Sequence, residues 1–200
     1  MKLIAVDGLD GCGKNSHASR IKSLLEDRGA RVFVVSHPSS RLFGRLSKRS
    51  LEASGPLARA FATAFFTADV LASVSWLRRQ KSDGYAVFVR YLLGTAYLPR
   101  RLAPLGYGLF RRLLPSPDLA LFVDIDPRVA LRRIHARGDR MEMFETLHKL
   151  DQVRSVAKSI AKDGWVTVDN SIDGEGPFAE VGRIVAERFE AAEPVSASRP

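Results

Sequence analysis

Five short apolar runs divide the chain, and each is typical of a strand that is buried on both faces of a parallel sheet. The first run consists of Leu3, Ile4, Ala5 and Val6. The later runs are also short and are separated by longer segments of a different pattern. We therefore predict five strands, at residues 3–6, 31–36, 85–90, 119–124 and 165–169.

Between these runs, apolar residues recur at the spacing of an amphipathic helix. In the first such segment Ala18, Ile21, Leu24 and Leu25 share one helical face, and Gly29 supplies a C-terminal stop. Residues 91–117 carry four prolines, three of them before Ser116, and are harder to interpret. Either a strand or a helix is compatible with residues 108–114. The other predicted helices cover residues 42–51, 56–79, 127–135, 143–162 and 178–189.

Alternating strands and helices predict an α/β fold, with a doubly wound five-stranded parallel sheet flanked by helices. We expect one domain over residues 1–191 and a disordered tail over residues 192–200. Ligands of such sheets bind at the carboxyl ends of the strands. One crevice is therefore expected to collect Asp7, residues 8–14, His37, Arg90 and Asp124.

The turn between the first strand and the first helix has the pattern Gly-x-x-x-x-Gly-Lys, from Gly8 to Lys14. Glycines in this context allow backbone N–H groups to surround phosphate oxygens at a helix N-terminus, which also favours negative charge. Lys14 is expected to reach the β and γ phosphates of ATP. A simple glycine turn is the alternative. The predicted ATP-phosphate ligands are Gly8, Gly11, Cys12, Gly13, Lys14, Asn15 and Ser16.

The metal position of this loop departs from the usual pattern. A Ser or Thr hydroxyl normally follows the lysine and binds Mg²⁺, whereas Asn15 stands here and Ser16 is one residue away. An amide oxygen can also ligate Mg²⁺, and this cation commonly keeps several waters. We predict Asn15 and Asp7 as metal ligands, with Asp7, Asp10 or Asp124 acting through water.

Composition narrows the class of protein. The 200 residues are 46% hydrophobic and carry a net charge of +9, which indicates anionic partners such as nucleotides or nucleic acid. The single Cys12 excludes an internal disulfide and fits a reducing compartment. We found no signal peptide and no apolar run of membrane-spanning length. We therefore expect a cytoplasmic protein that binds nucleotides and does not associate with a membrane. Nucleic acid is the weaker alternative as a partner.

The order of motifs resembles the thymidylate kinase family of P-loop nucleoside monophosphate kinases. The segment 6–11, Val-Asp-Gly-Leu-Asp-Gly, is similar to the opening motif of that family. The segment 65–69, Phe-Phe-Thr-Ala-Asp, resembles its helix segment Leu-Leu-Phe-Ala-Ala-Asp. Residues 89–91, Val-Arg-Tyr, stand where the family has Asp-Arg-Tyr. Residues 124–127 and 133–142 resemble the stretch that leads into a mobile lid, here about 136–143.

The resemblance implies roles for individual residues. Asp10 would contact the sugar of the acceptor nucleotide, Phe66 would stack on thymine, and Tyr97 would pack against the deoxyribose. Phosphoryl transfer requires alignment and neutralisation of negative charge. The cationic residues assigned to it are Lys14, Arg90, Arg137 and Arg140. The structural alternatives are a solvated loop for the two lid arginines and core packing for the two aromatic residues.

The implied reaction transfers the γ-phosphoryl group of ATP to dTMP, or to a related monophosphate, with Mg²⁺ as cofactor. The family usually forms homodimers. Asn15, Val89 and Val70 depart from its pattern, the last replacing an arginine that reads a thymine carbonyl. These departures keep two alternatives open, namely a P-loop kinase for another small acceptor and a non-catalytic ATP-binding regulator. Residues 98–116, with Arg100 and Arg101, could supply other acceptor contacts.

Overall fold

A five-stranded parallel sheet forms the centre of the protein, in the order β2–β3–β1–β4–β5. The computed structural model describes residues 1–52, 55–80, 82–137, 146–162 and 164–190. The predicted α/β fold class is confirmed, and β1 occupies the middle of the sheet between β3 and β4. The strands are β1 Lys2–Gly8, β2 Val32–Ser36, β3 Tyr85–Val89, β4 Leu119–Asp124 and β5 Val166–Asp169.

Helices flank the sheet, because the strand connections step along it in both directions and parallel crossovers are right-handed. Helices α1 and α7 pack together, while α4 and α5 contact α6. A 3₁₀ turn over Leu93–Tyr97 follows β3. The helices are α1 Lys14–Glu26, α2 Leu42–Glu52, α3 Pro56–Arg79, α4 Ala103–Leu113, α5 Pro127–Ala136, α6 Leu147–Ile160 and α7 Gly176–Glu190.

The stretch that was hardest to interpret contains α4. Of the two structures compatible with residues 108–114, the helix is the one formed, and it begins earlier, at Ala103. Pro104 lies in its first turn, where proline has no intrahelical hydrogen bond to lose. Proline therefore marks the start of this helix. At α6 the described helix begins at Leu147, and residues 143–145 of the predicted helix lie outside the described residues.

Burial differs between the inner and outer strands. Strands β1, β3 and β4 are buried along nearly their whole length. The prediction that all five strands are buried on both faces is wrong for β2, where Val34 is exposed, and for β5, where only Val168 is buried. Both are edge strands of the sheet. An edge strand has one neighbouring strand, so a smaller part of its surface is covered.

The Asp7 carboxylate fixes the backbone that follows β3. One oxygen accepts the N–H of Tyr91 at 2.7 Å, and the other accepts those of Leu92 at 2.9 Å and Leu93 at 3.1 Å. Burial raises the pKa of Asp7, against the opposing effect of these N–H groups. The end of β1 thereby determines where the turn carrying Tyr97 begins.

Some predictions concern residues outside the described part of the chain. These are the disordered tail at 192–200, Arg140, and most of the lid at about 136–143. Arg137, at the end of α5, is described and is exposed.

Two histidines are fully enclosed by the fold. His17 on α1 stacks against Phe178 with ring centroids 4.6 Å apart, and neither of its ring nitrogens has a hydrogen-bond partner in the described part of the chain. His37 follows β2 and contacts the Val89 carbonyl oxygen at 3.2 Å and the Ser73 hydroxyl at 2.8 Å. Burial lowers the pKa of both imidazoles below the ordinary value of 6.5.

From the lowered pKa of these two imidazoles we predict that the free energy of unfolding decreases at acid pH. Below the ordinary pKa of 6.5 the unfolded chain binds protons that the folded chain does not, so stability falls as the pH falls. We expect a lower free energy of unfolding at about pH 5.5 than at about pH 7.5 in urea titrations. His17→Leu should reduce this pH dependence, whereas replacement of the exposed His148 by Gln should leave it intact. Equal pH dependence in His17→Leu and the parent would contradict the prediction.

Candidate active site

Residues 8–14 form a tight loop between β1 and α1. Gly11 and Gly13 adopt φ angles of 77° and 86°, a left-handed conformation that favours glycine. A Cβ at Gly11 would lie 2.6 Å from the Ala130 carbonyl oxygen, and one at Gly13 would lie 2.8 Å from the Asn170 amide nitrogen. The loop therefore needs glycine both for its conformation and for its close contacts with the neighbouring elements.

The loop presents the N-terminus of α1 as an anion site. Gly13 is the N-cap residue and no side chain caps the helix, so the amides of the first turn are available for a ligand with negative charge. The Asn170 side chain donates to the Cys12 carbonyl at 2.8 Å and anchors the loop from the end of β5. Burial raises the pKa of the Cys12 thiol, which keeps it neutral and makes it a packing group of the loop.

Lys14 is buried inside this loop rather than extended into solvent. Its ammonium group donates to the Leu9 carbonyl oxygen and lies 3.8 Å from both the Asp10 carboxylate and the Cys12 sulfur. A cation with carbonyl and carboxylate partners is tolerated in a buried position. The structure thus keeps a positive charge next to the uncapped helix end.

Asp10 collects the polar side chains of the site. The carboxylate is 2% exposed and accepts hydrogen bonds from the Arg90 guanidinium and from the Tyr97 hydroxyl, the latter at 2.9 Å. Burial alone would raise its pKa, but Arg90, Lys14, Tyr97 and Arg137 together hold the pKa of Asp10 below its ordinary value. Burial and the Asp10 charge raise the pKa of Tyr97 well above its ordinary range, so its hydroxyl stays a donor.

Arg90 has an uncommon backbone conformation. It adopts a φ of 60°, and among the described residues it is the one with positive φ that is not glycine. Such a conformation costs free energy and is found most often at functional sites. The Arg90 N–H donates to the Val6 carbonyl at 3.2 Å. The strained position turns the guanidinium from the end of β3 toward the phosphate loop.

A cavity of about 100 Å³ opens beside Asp10, Arg90 and Tyr97. Phe66 of α3 and Pro38 of the loop after β2 line it as well. Gly94 makes room for the Phe66 ring, because a Cβ there would lie 2.8 Å from its Cζ atom. The cavity thus has a charged end at Asp10 and Arg90 and a largely apolar remainder, which is the arrangement that a phosphorylated ring compound requires.

Comparison with protein families adds a finding to this geometry. The sequence model described as thymidylate kinase matches residues 6–177. The chain belongs to the thymidylate kinase family. A protein of Archaeoglobus fulgidus described as a probable thymidylate kinase is 33% identical over 187 residues, covering 92% of this chain and 94% of its own. The thymidylate kinase of Xanthomonas oryzae is 30% identical over 198 residues, covering 92% and 82%.

A solved structure shares the fold. The thymidylate kinase from Candida albicans superposes with a TM-score of 0.71 at 22% identity, covering 95% of this chain and 91% of its own. Broad substrate specificity and a novel structural element are described for that protein. The family resemblance and the doubly wound P-loop kinase fold are therefore confirmed. The predicted enzyme class, nucleoside monophosphate kinase, is confirmed as well, because the relatives belong to it.

The three departures from the family pattern occupy different environments. Asn15 is exposed, and its side-chain oxygen accepts the Ser36 hydroxyl at 3.3 Å. Val89 and Val70 are 2% and 0% exposed and belong to the hydrophobic core. Arg100 and Arg101 are exposed and lie outside the residues that line the cavity.

The carboxylates that were considered for Mg²⁺ already have partners. Asp124 accepts from the Arg154 guanidinium at 2.7 and 2.8 Å and pairs with Lys158 at 2.9 Å. Burial raises and these cations lower the pKa of Asp124, with a net lowering. In the part of the chain that the structure describes, no group of three His, Cys, Asp or Glu side chains is arranged to hold a metal. Metal binding by Asn15 and Asp7 stays a prediction.

Two residues of the site were not among the predicted ones. Asn170 follows the end of β5, and its position at the carboxyl edge of the sheet was the signal that could have identified it. Arg154 lies within α6 and reaches Asp124 across the fold. The position of Arg154 within a helix gave no indication in the sequence that it would contact Asp124.

Gly13 provides a test of the loop, because Gly29 is a matched control. Both have left-handed φ angles, 86° and 80°, but a Cβ at Gly29 meets nothing within 4 Å. Alanine at either position should cost about 1–2 kcal/mol of backbone strain. We expect Gly13→Ala alone to weaken ATP binding by about tenfold or more in calorimetric titrations. Equal ATP affinity in the two variants would contradict the role of the loop.

Proposed function

We propose that this protein transfers the γ-phosphoryl group of ATP to dTMP, giving ADP and dTDP. The observation that carries the proposal is the shared contact with Asp10. Lys14 comes from the phosphate loop and Arg90 from the mouth of the acceptor cavity, and both lie against this one carboxylate. Membership of the thymidylate kinase family supports the same reaction.

The two cations would face the two substrates. Lys14 and the first amides of α1 would bind the β and γ phosphates of ATP, and Arg90 would bind the phosphate of dTMP. In the transfer, an oxygen of the dTMP phosphate forms a bond to the γ phosphorus of ATP. The bond between the γ phosphorus and the β–γ bridging oxygen breaks, and that oxygen leaves with ADP. Lys14 and Arg90 would stabilise the negative charge that spreads over the transferred group.

The remainder of the cavity would hold the nucleoside. Phe66 lies on its wall and would stack on the thymine, and Tyr97 and Asp10 would border the sugar. Arg137 already lies close enough to lower the pKa of Asp10. We assign it, with Arg140 of the predicted lid, to the charge of the transferred group and to the exclusion of water.

The residues at the loop fit the phosphates of ATP better than they fit a bare cation. Mg²⁺ bound with ATP would neutralise part of the negative charge of the phosphates. Asn15 is exposed next to Lys14, and we assign its side chain as a ligand of Mg²⁺, with waters as the other ligands. Asp7, which we also predicted, has both oxygens occupied by the N–H groups of residues 91–93, so we assign it a contact with Mg²⁺ through water only.

Replacement of Lys14 tests the reaction. We expect Lys14→Ala to lower kcat/KM for ADP release from ATP and dTMP by about 100-fold or more, because the charge that we assign to the phosphates is lost. Lys22→Ala is the control, since the Lys22 side chain is 43% exposed on the same helix and pairs with Glu26 at 2.5 Å. Unchanged turnover in Lys14→Ala would refute the assignment.

The same assay separates the alternatives. Val89 and Asn15 favour a regulator that binds ATP without transferring phosphate, and that function predicts ATP binding without ADP release. Activity with an unrelated acceptor and none with dTMP would identify a kinase of different substrate. Nucleic-acid binding is the weaker alternative, and it would appear as binding that falls steeply with salt. A cytoplasmic location stays a prediction.

We also propose a homodimer through α3. The stretch Ala60–Arg79 is long and apolar enough to cross a membrane by length and composition, although no apolar run of that length was predicted from the sequence. Only 28% of its most apolar window is buried within the described structure. Leu57, Phe61 and Leu71 are 74%, 55% and 43% exposed. Apolar surface of this extent usually marks an interface, and the family resemblance indicates a second copy of the chain.

The dimer is testable on this face. We expect the parent protein to be dimeric in light scattering after size exclusion, and Phe61→Asp to be monomeric, because a charge would be buried without a partner. Leu105→Asp on α4 is the control, since Leu105 is 71% exposed on another helix. A monomeric parent protein, or a dimeric Phe61→Asp variant, would refute the proposal.

A further inference from the structure

The outer face of α4 carries a row of exposed leucines. Leu102, Leu105, Leu109 and Leu113 are 52%, 71%, 54% and 56% exposed. Their spacings of three and four residues place them side by side along one face of the helix. At a rise of about 1.5 Å per residue, the row is about 16 Å long. The described part of the chain therefore leaves more than half of each of these four apolar residues in water.

The inner face of α4 holds the leucine row outward. Ala103 and Tyr107 are buried, and Gly106 and Phe110 line the acceptor cavity. The indole N–H of Trp165 donates to the Tyr107 hydroxyl at 2.7 Å, which fixes the rotation of the helix about its axis. Because these contacts engage the inner face, the helix cannot turn its leucines toward the core without losing them.

The charge beside the row is positive. Arg101 stands four residues before Leu105, and Arg112 stands three residues after Leu109, so both arginines are neighbours of the row on the helix surface. Both are exposed. The sequence has no Asp or Glu between residues 91 and 117. The face is therefore complementary to an occupant that is apolar and carries negative charge.

This chemistry fits a lipid surface better than a protein or nucleic acid. A face about 16 Å long and about 10 Å wide covers far less than the roughly 800 Å² that each partner buries in a stable protein complex. Single-stranded nucleic acid stacks on exposed aromatic rings, whereas the rings of Tyr107 and Phe110 belong to the inner face of α4. An amphipathic helix with leucines on one side and basic residues beside them binds at the surface of an anionic bilayer.

We propose that α4 docks this protein reversibly on a membrane that contains anionic phospholipids. The four leucines enter the boundary between headgroups and acyl chains, and Arg101 and Arg112 contact the lipid phosphates. The docking is peripheral, because a helix of 11 residues is too short to span a bilayer. It is compatible with a cytoplasmic location, but it revises the expectation that the protein does not associate with a membrane.

Cosedimentation of the full chain with vesicles tests the docking. Vesicles of phosphatidylcholine alone are compared with vesicles of equal parts phosphatidylcholine and phosphatidylglycerol. We expect binding to the anionic vesicles to be at least about tenfold tighter, because two arginines face the lipid. This binding should weaken as salt is added. Equal affinity for the two kinds of vesicle, or no binding to the anionic ones, would overturn the proposal.

A leucine variant separates insertion of the row from simple attraction of a basic protein. Leu105→Ser leaves the net charge unchanged and should weaken binding to the anionic vesicles by about tenfold, because an inserted apolar side chain is lost. Leu147→Ser is the matched control, since Leu147 is an exposed leucine of α6, and it should bind like the parent protein. If Leu105→Ser binds as tightly as the parent, or if both variants lose the same affinity, the assignment to α4 fails.

Two neighbouring arginines test the orientation of the helix. Arg112→Gln and Arg111→Gln remove the same charge, but Arg111 lies over the Tyr107 ring at 5.9 Å, toward the inner face. We expect Arg112→Gln to weaken binding to the anionic vesicles by about fivefold and Arg111→Gln by less than about twofold. An equal loss in the two variants would indicate attraction without a defined face and would overturn the proposed orientation.

The Leu105→Ser variant also identifies the other occupants. An oligonucleotide that binds the parent protein and is lost in Leu105→Ser, without binding of either protein to vesicles, would overturn the proposal in favour of nucleic acid. Assemblies larger than a dimer that depend on Leu105, again without vesicle binding, would overturn it in favour of a second copy of the chain. None of these measurements uses ADP release, so failure of the proposed phosphoryl transfer would leave this inference to be decided separately.

Discussion

The buried charge of Asp10 is the constraint on which the site depends. A carboxylate removed from water is costly unless hydrogen bonds and opposite charges compensate for it. Here the compensation comes from three separate parts of the chain: Lys14 in the phosphate loop, Arg90 after β3, and Tyr97 in the 3₁₀ turn. Folding therefore favours the arrangement in which the phosphate loop and the acceptor cavity meet.

Two acidic residues three positions apart divide this work. Asp7 binds backbone N–H groups and fixes the path of the chain after β3, whereas Asp10 binds side chains. The first interaction determines where the second can form, because Tyr97 belongs to the turn that Asp7 positions. Arg90, with its left-handed backbone, connects the two interactions: its guanidinium donates to Asp10, and the N–H of the next residue, Tyr91, donates to Asp7.

The sequence allowed prediction of the fold and of the residues at the strand ends, since both follow from local patterns and from the geometry of parallel sheets. The burial of β2 and β5 could not be predicted in the same way, because it depends on their place at the edges of the sheet. The ion pair of Arg154 with Asp124 joins residues thirty positions apart, and no local pattern reports such a contact. The start of α4 at Ala103 was missed because the prolines and glycines of this stretch obscured its helical pattern.

The close approach at Gly11 has a mechanical consequence. Because Gly11 has no side chain, the backbone of α5 packs directly on the phosphate loop at Ala130. A Cβ at Gly11 would lie only 2.6 Å from the Ala130 carbonyl oxygen. Arg137 stands at the other end of the same helix. Helix α5 contacts the loop near its first turn and ends at Arg137, and an α-helix of this length is stiff. A ligand that shifted the backbone at Gly11 would therefore also shift Arg137.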